Sequence, residues 1–323
     1  GLDFFAGARI ATDSLRKAGY SVDIHVFDTQ NDSATVNRVL NNSAFASSDL
    51  IIGPLYSQAF VMVAEKAREL GIPAVTPFSQ SDALIEGYPN VIKVTPSSEQ
   101  QMKEYAPALA QQFAVAKFIL IQTDLSKDKS LCNQFKQAWA GINNAPELNE
   151  ISFADFRTNQ GILDAVKQNI VIFPSADEVK LIELSNRLYK LSDSYRIRLA
   201  GLNEWNSFDN VDFDILNKLQ FVYASPLQQD FGSRQSLAFQ KKYHEEFKGE
   251  PSYYAYQGFD VTCFFTKYIA DYGSEGIVCL PSAETHCGLN ACYKFIRKSD
   301  SDGYENISIR LTELRDFKPQ PIK

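Results

Sequence analysis

The stretch Asp49-Leu50-Ile51-Ile52-Gly53-Pro54-Leu55-Tyr56-Ser57 decides how the chain is read. Its first four residues make a short apolar strand, and Gly53-Pro54 stops it. Ser57 stands where a helix N-cap belongs. Phe60, Val63, Ala64, Ala67 and Leu70 then share one helical face, and Gly71 with Pro73 closes the helix. A second strand, Ala74-Val75-Thr76, follows at once. Strand, helix and strand in this rhythm form the unit of a parallel sheet covered by helices.

The rhythm extends in both directions. Upstream, Phe4, Ala8, Ala11 and Leu15 lie on one helical face, Val22 to Phe27 alternates like a strand, and Ser33 to Ala46 suits a helix. Downstream, Val91-Ile92-Lys93-Val94 reads as a strand and Ser98-Glu99-Gln100-Gln101 as a capping box opening a helix that contains Pro107. A second series starts at Lys117, with strands expected at 118–121, 148–153, 170–173, 197–200 and 221–223. Its helices are expected near 128–140, 163–168 and 181–191. Helices around 234–247 and 254–272 follow, the latter rich in core aromatics. In the tail, 293–296 and 307–311 are expected to pair around Asp302-Gly303. Two such series, each too short for a barrel, predict an α/β protein of two Rossmann-like, doubly wound lobes. In lobes of this kind ligands sit at the carboxyl ends of strands and on helix N-termini.

Composition narrows the function. Of 323 residues, 45% are hydrophobic and 22% charged, ordinary values for a folded domain. Lys and Arg number 32 against 39 Asp and Glu, for a net charge of −7. Neutralising nucleic-acid phosphates needs a basic face, so no nucleic-acid partner is expected. No apolar run approaches the ~18 residues of a transmembrane segment. Gly1 is not a usual start and no signal peptide follows it, so residues upstream are expected in the natural protein.

No catalytic motif is found. His244-Glu245 begins like a zinc-protease helix, but Lys248 stands where the second His is required. Neither G-x-S-x-G nor a Gly-rich phosphate loop occurs, so neither enzyme activity nor a cofactor is expected. Cys132, Cys263, Cys279, Cys287 and Cys292 make an odd count. Three readings of them stand side by side: unpaired thiols, a local bridge from Cys279 to Cys287 or Cys292, and a zinc site with His286. Asn31, Asn41 and Asn306 fit the glycosylation pattern.

The blocks 49–57, Gly71-Ile72-Pro73-Ala74-Val75-Thr76-Pro77 and Val91-Ile92-Lys93-Val94-Thr95-Pro96-Ser97 resemble the type I periplasmic binding proteins, in particular the leucine/isoleucine/valine-binding and receptor-ectodomain branch. Tyr253-Tyr254-Ala255-Tyr256-Gln257-Gly258-Phe259-Asp260 resembles that group's late lobe-one helix, and Gly303-Tyr304-Glu305-Asn306 fits as well. The resemblance implies two lobes joined by three hinge crossovers, near Thr95–Ser98, Tyr223–Pro226 and Ser282–Asn290. Lobe one is then 1–96 plus 225–284, and lobe two 97–224 plus 285–323. It also implies a periplasmic or cell-surface location, and capture of a small polar ligand between the lobes for an ABC transporter permease.

Carried over residue by residue, the resemblance puts Tyr56 and Ser57 at the ligand, with Thr76, Phe78, Ser79 and Gln80 in the next loop. In lobe two it points to Asp124, Ser175, Asn203, Glu204 as the amine partner, and Trp205. Phe78 is bulkier than the family's small residues, and Gln80 replaces a threonine, which argues against an unmodified branched-chain amino acid. The family's first strand, expected inside the sheet ahead of residues 2–18, has no counterpart. Its absence leaves a slot of ~9.5 Å that backbone hydrogen bonds cannot span. The slot is expected to be filled by another segment or by residues outside this sequence. The alternative function is a sensory or protein-interaction module with an empty cleft; an enzyme is the third reading.

Overall fold

The strand at the centre of the quoted stretch forms as Ile51–Ile52 and pairs in parallel with Ala74–Thr76. This is seen in a computed structural model of the chain, which describes residues 1–159, 161–227 and 232–322. The chain divides into two units, Gly1–Ser97 with Pro226–Ser308 and Ser98–Ser225 with Ile309–Lys323, and so passes between them three times.

The first unit holds a five-stranded sheet. Its order is Ile51–Ile52, Ala74–Thr76, Val91–Lys93, Tyr304–Asn306 and Phe295–Arg297. The first four run parallel and the last antiparallel. Val75, Ile92, Phe265, Tyr293 and Tyr304 pack between this sheet and the helix Tyr253–Tyr272. That helix also crosses Leu2–Lys17 at very close range. A Cβ on Gly7 would lie 1.8 Å from the Ala255 carbonyl oxygen, and one on Gly258 2.1 Å from that of Phe4. Only glycine lets two helix backbones approach so closely.

The second unit holds a seven-stranded sheet. Leu148–Ser152, Lys117–Gln122, Asn169–Ile172, Ile197–Gly201 and Val222–Ser225 are parallel neighbours in that order. Arg310–Arg315 and Lys318–Pro321 extend it antiparallel. The α/β architecture of two parallel-sheet lobes joined by three crossovers is therefore present. In the second sheet the chain starts at Lys117–Gln122 and winds outward on both sides, which makes a switch point between that strand and Asn169–Ile172.

Several local expectations are corrected. Val22–Phe27 belongs to no strand, and its residues are largely exposed. Alternation gives a segment one apolar face, but a ladder also needs a partner edge. Among the described residues, no strand pairs with Ile51–Ile52 on the side away from Ala74–Thr76, so none of them fills the expected slot, and Val22–Phe27 does not close it by pairing with Ile51–Ile52 directly. Leu163–Gln168 is not helical, because the Asp164 carboxylate takes the amides of Val166 and Lys167 in a local turn.

The tail also differs. The hairpin around Asp302-Gly303 pairs Phe295–Arg297 with Tyr304–Asn306, whereas Arg310–Arg315 pairs with Val222–Ser225 in the second unit. Residues 285–308, expected in lobe two, consequently group with the first unit, and the third crossover falls at 308–309 instead of 282–290. The disulfide joins Cys287 to Cys292, a pairing the sequence reading did not weigh, while Cys279 is free and exposed. No His/Cys/Asp/Glu cluster fit for a metal occurs among the described residues.

Candidate ligand-binding site

In the first unit the candidate residues follow the carboxyl ends of two adjacent parallel strands. Tyr56, not Ser57, is the N-cap of the helix Ser57–Leu70, and its side chain makes no capping hydrogen bond. The helix begins one residue earlier than expected. The first-turn amides therefore have no side-chain acceptor from the cap, the arrangement that suits an anion at a helix N-terminus. Ser57 and Tyr56 are exposed. The Ser57 hydroxyl lies 3.4 Å from the Ser79 hydroxyl, which itself accepts the Ser81 amide. The structure thus brings Ser57 and Ser79 together.

Thr76 is buried at the strand end, and its carbonyl accepts the Val94 amide. Phe78 stands edge-on to Phe4, Tyr253 and Tyr254, with ring centroids 5.6, 5.9 and 5.3 Å away. Its ring is half-buried and packs within its own unit. Gln80 is exposed, and its carbonyl accepts the Lys93 ammonium at 3.2 Å. Lys93 is fully buried on its strand, where Asp82 and Glu305 flank it.

In the second unit Asp124 and Ser175 follow the two strands at the switch point. Asp124 is exposed, whereas Ser175 is fully buried and its hydroxyl accepts the Asp177 amide. Asn203 and Glu204 open the short turn after Ile197–Gly201 and are half-buried. They line a shallow recess together with Ser98, Gln101, Met102 and Leu202. Ser98 and Gln101 are candidates absent from the sequence reading: the capping box marks them only as a helix start, although a helix start beside a strand end is where ligand groups gather.

Trp205 is corrected. Its indole is fully buried, stacks on Phe221 at 4.9 Å, and donates its N–H to the Ser175 carbonyl at 2.7 Å. A Cβ on Gly201 would fall 2.0 Å from the indole, so the missing side chain there makes the space that Trp205 fills. Trp205 packs the core beneath Glu204 instead of facing solvent.

The periplasmic binding protein family model matches residues 1–155. No curated protein matches the chain. Among solved structures, an ABC transporter substrate-binding protein from Desulfitobacterium hafniense in complex with Leu is 17% identical, with a TM-score of 0.59 over 99% of this chain and 95% of that one. A branched-chain amino acid ABC transporter periplasmic ligand-binding protein from Burkholderia xenovorans is 11% identical, with a TM-score of 0.64 over 100% and 90%. Full-length LpoA from Haemophilus influenzae is 15% identical, with a TM-score of 0.63. It covers all of this chain, which spans 55% of that protein. At such identities the likeness is one of fold. The chain shares the fold of these solved structures, and its first 155 residues match the periplasmic binding protein family's sequence model.

Proposed function

We propose that the chain is an extracytoplasmic solute-binding protein. It captures a small polar ligand, amino acid-like or a small peptide or acid, by hinge closure and hands it to an ABC-type permease. The observation that carries this reading is the pair of strand-end loops with complementary chemistry. In the first unit, Ser57 and Ser79 present hydroxyls beside helix amides that the cap leaves unbonded, a set suited to a carboxylate. In the second, Glu204 and Asn203 line a recess and supply an acid and an amide, a set suited to an ammonium. The family match and the substrate-binding proteins of the same fold support binding in preference to catalysis.

Thermal-shift screening of amino acids, short peptides and simple carboxylates tests it. A true ligand at ~100 times its Kd adds about 2.7 kcal/mol of stability. A panel that moves the melting temperature nowhere sinks the reading.

A second reading is a sensory or interaction module built on the same fold. It is favoured by the LpoA likeness, in which a chain of this size matches 55% of a longer protein. A well-folded protein that ignores every solute yet retains a macromolecular partner selects this reading.

A further inference from the structure

A chain of buried hydrogen bonds runs from the disulfide to the candidate ligand loop of the first unit. The bridge Cys287–Cys292 closes a short loop. Within it the amides of Leu289, Asn290 and Ala291 all donate to the Asp260 carboxylate, at 2.7, 2.6 and 3.2 Å. Gly288 permits this approach, since a Cβ there would lie 2.4 Å from the Asp260 carboxyl carbon. The Asn290 side-chain amide donates to Gln257 Oε1 at 2.7 Å, and Gln257 Nε2 donates to the Pro77 carbonyl at 3.0 Å. Asp260, Asn290 and Gln257 are each at most 2% exposed. Pro77 sits between Thr76 and Phe78, and Thr95 Oγ1 also donates to its carbonyl.

The same loop reaches the first unit's ends of the crossovers. Ala291 bridges Leu227, beside the second crossover. Asn306 Nδ2 donates to both the Cys292 and the Val94 carbonyls, and its Oδ1 accepts the Ser308 amide at the third. Burial makes each link strong, because a broken one leaves a polar group without water to replace its partner.

We propose that Gln257 is a positioning residue for the ligand loop, and that the state of the Cys287–Cys292 bridge sets its position through Asn290. Cys287 is exposed, so a dithiol reductant reaches the bridge. The S–S bond then breaks, each sulfur gains one electron and one proton, and the dithiol is oxidised to its own disulfide. The freed loop loses its hold on Asp260 and Asn290, Gln257 loses its acceptor-side partner, and the Pro77 carbonyl loses a donor. The 76–80 loop loosens and ligand capture weakens. The affinity part of this proposal rests on the solute-binding reading; the structural part does not.

The test measures amide hydrogen exchange of the whole chain before and after dithiothreitol, in the native protein and in Gln257→Met. In the native protein, reduction is expected to speed exchange at Phe78, Ser79 and Gln80 by about tenfold, a change of about 1.4 kcal/mol in local opening. In Gln257→Met those amides are already fast, and reduction adds nothing to them while still loosening 288–291. The double variant Cys287→Ser with Cys292→Ser reproduces the reduced pattern without reductant.

Unchanged exchange at 78–80 on reduction overturns the proposal. So does an equal rise across the entire chain, which makes the bridge a fold staple, and so does an undiminished response in Gln257→Met, which severs the relay. The amino acids, short peptides and simple carboxylates of the thermal-shift panel, titrated calorimetrically against both redox states, supply the affinity arm, where any that binds is expected to do so about tenfold more weakly after reduction. Binding of none of them, with the exchange pattern as expected, counts against the solute reading and leaves the relay standing.

Discussion

Lys93 and Glu305 stand directly opposite each other on neighbouring parallel strands, with their charges 2.8 Å apart and both side chains shut off from solvent. Asp82 and Lys298 complete the cluster, and Glu305 also accepts the Ser97 amide at the first crossover. Lys93→Met leaves two carboxylates without their shared buried cation. It is expected to cost about 3–5 kcal/mol in urea unfolding, and adding Glu305→Gln is expected to restore part of the loss. A single variant within 1 kcal/mol of the native protein would show that the cluster is not desolvated.

The crossing of Leu2–Lys17 over Tyr253–Tyr272 has no room for a methyl group at either glycine. Gly258→Ala must push the two backbones apart. It is expected to lower stability by about 3 kcal/mol, read as a fall in the thermal midpoint with unchanged helical circular dichroism at low temperature. Gly249→Ala, where nothing lies within 4 Å, is the control expected to be nearly silent.

Asp260 gives the fold a pH dependence. Burial pushes its carboxyl up to about 6, although three backbone amides pull the other way. The folded protein therefore holds this proton more tightly than the unfolded chain, whose carboxyl titrates near 3.9. Its contribution to stability is fully present below that value and is lost as pH rises through 6. The effect is on the order of 3 kcal/mol. Urea unfolding of native protein and Asp260→Asn across pH 4–7 checks it. The native curve is expected to fall towards neutrality relative to the variant, and parallel curves refute the assignment.

Glu204 and Trp205 are neighbours in sequence with opposite expected behaviour. Trp205→Phe loses the indole hydrogen bond to Ser175 and part of the stacking on Phe221, so it is expected to destabilise the fold by about 2 kcal/mol while leaving ligand affinity unchanged. Glu204→Gln is expected to weaken a ligand that carries an ammonium by about 10- to 100-fold and to leave a plain carboxylate such as benzoate unaffected, with stability nearly native. Calorimetry with both ligand types separates the two roles.

Ser57→Ala tests the candidate loop of the first unit. The residue is exposed and does not cap its helix, so stability is expected within about 0.5 kcal/mol of native. Affinity for any carboxylate ligand is expected to fall by about 5- to 10-fold. Equal affinity would remove Ser57 from the site.

The repeating order of strands and helices was legible because each element carries its own period, as Phe60 to Leu70 and Ile170 to Phe173 show. What depended on a distant partner was not. Val22–Phe27 has the alternation of a strand but pairs with no strand, although the Ile51–Ile52 edge is open among the described residues. Arg310–Arg315 looks like the return arm of a hairpin yet finds Val222–Ser225 instead. Cys287 and Cys292 face each other only because their segments pair antiparallel in that register, which spacing does not reveal. For the candidate site, the loops could be located because they follow strand ends, but the fate of single side chains could not. Trp205 is drawn inside by the missing side chain of Gly201, and the helix after Pro54 starts at Ser57 with Tyr56 as its cap.

The interleaved layout of the two units has a consequence for synthesis. All five parallel strands of the second sheet lie within 117–225, and the late strands Arg310–Arg315 and Lys318–Pro321 only add to one margin. The first unit is different, because the helix Leu2–Lys17 packs against Tyr253–Tyr272. As the chain leaves the ribosome, this helix must wait for a partner made much later, with Phe4, Ile10 and Leu15 uncovered in the meantime. Residues 117–225 are thus placed to mature before the first unit closes, and Leu2–Lys17 is a stretch in need of chaperone cover.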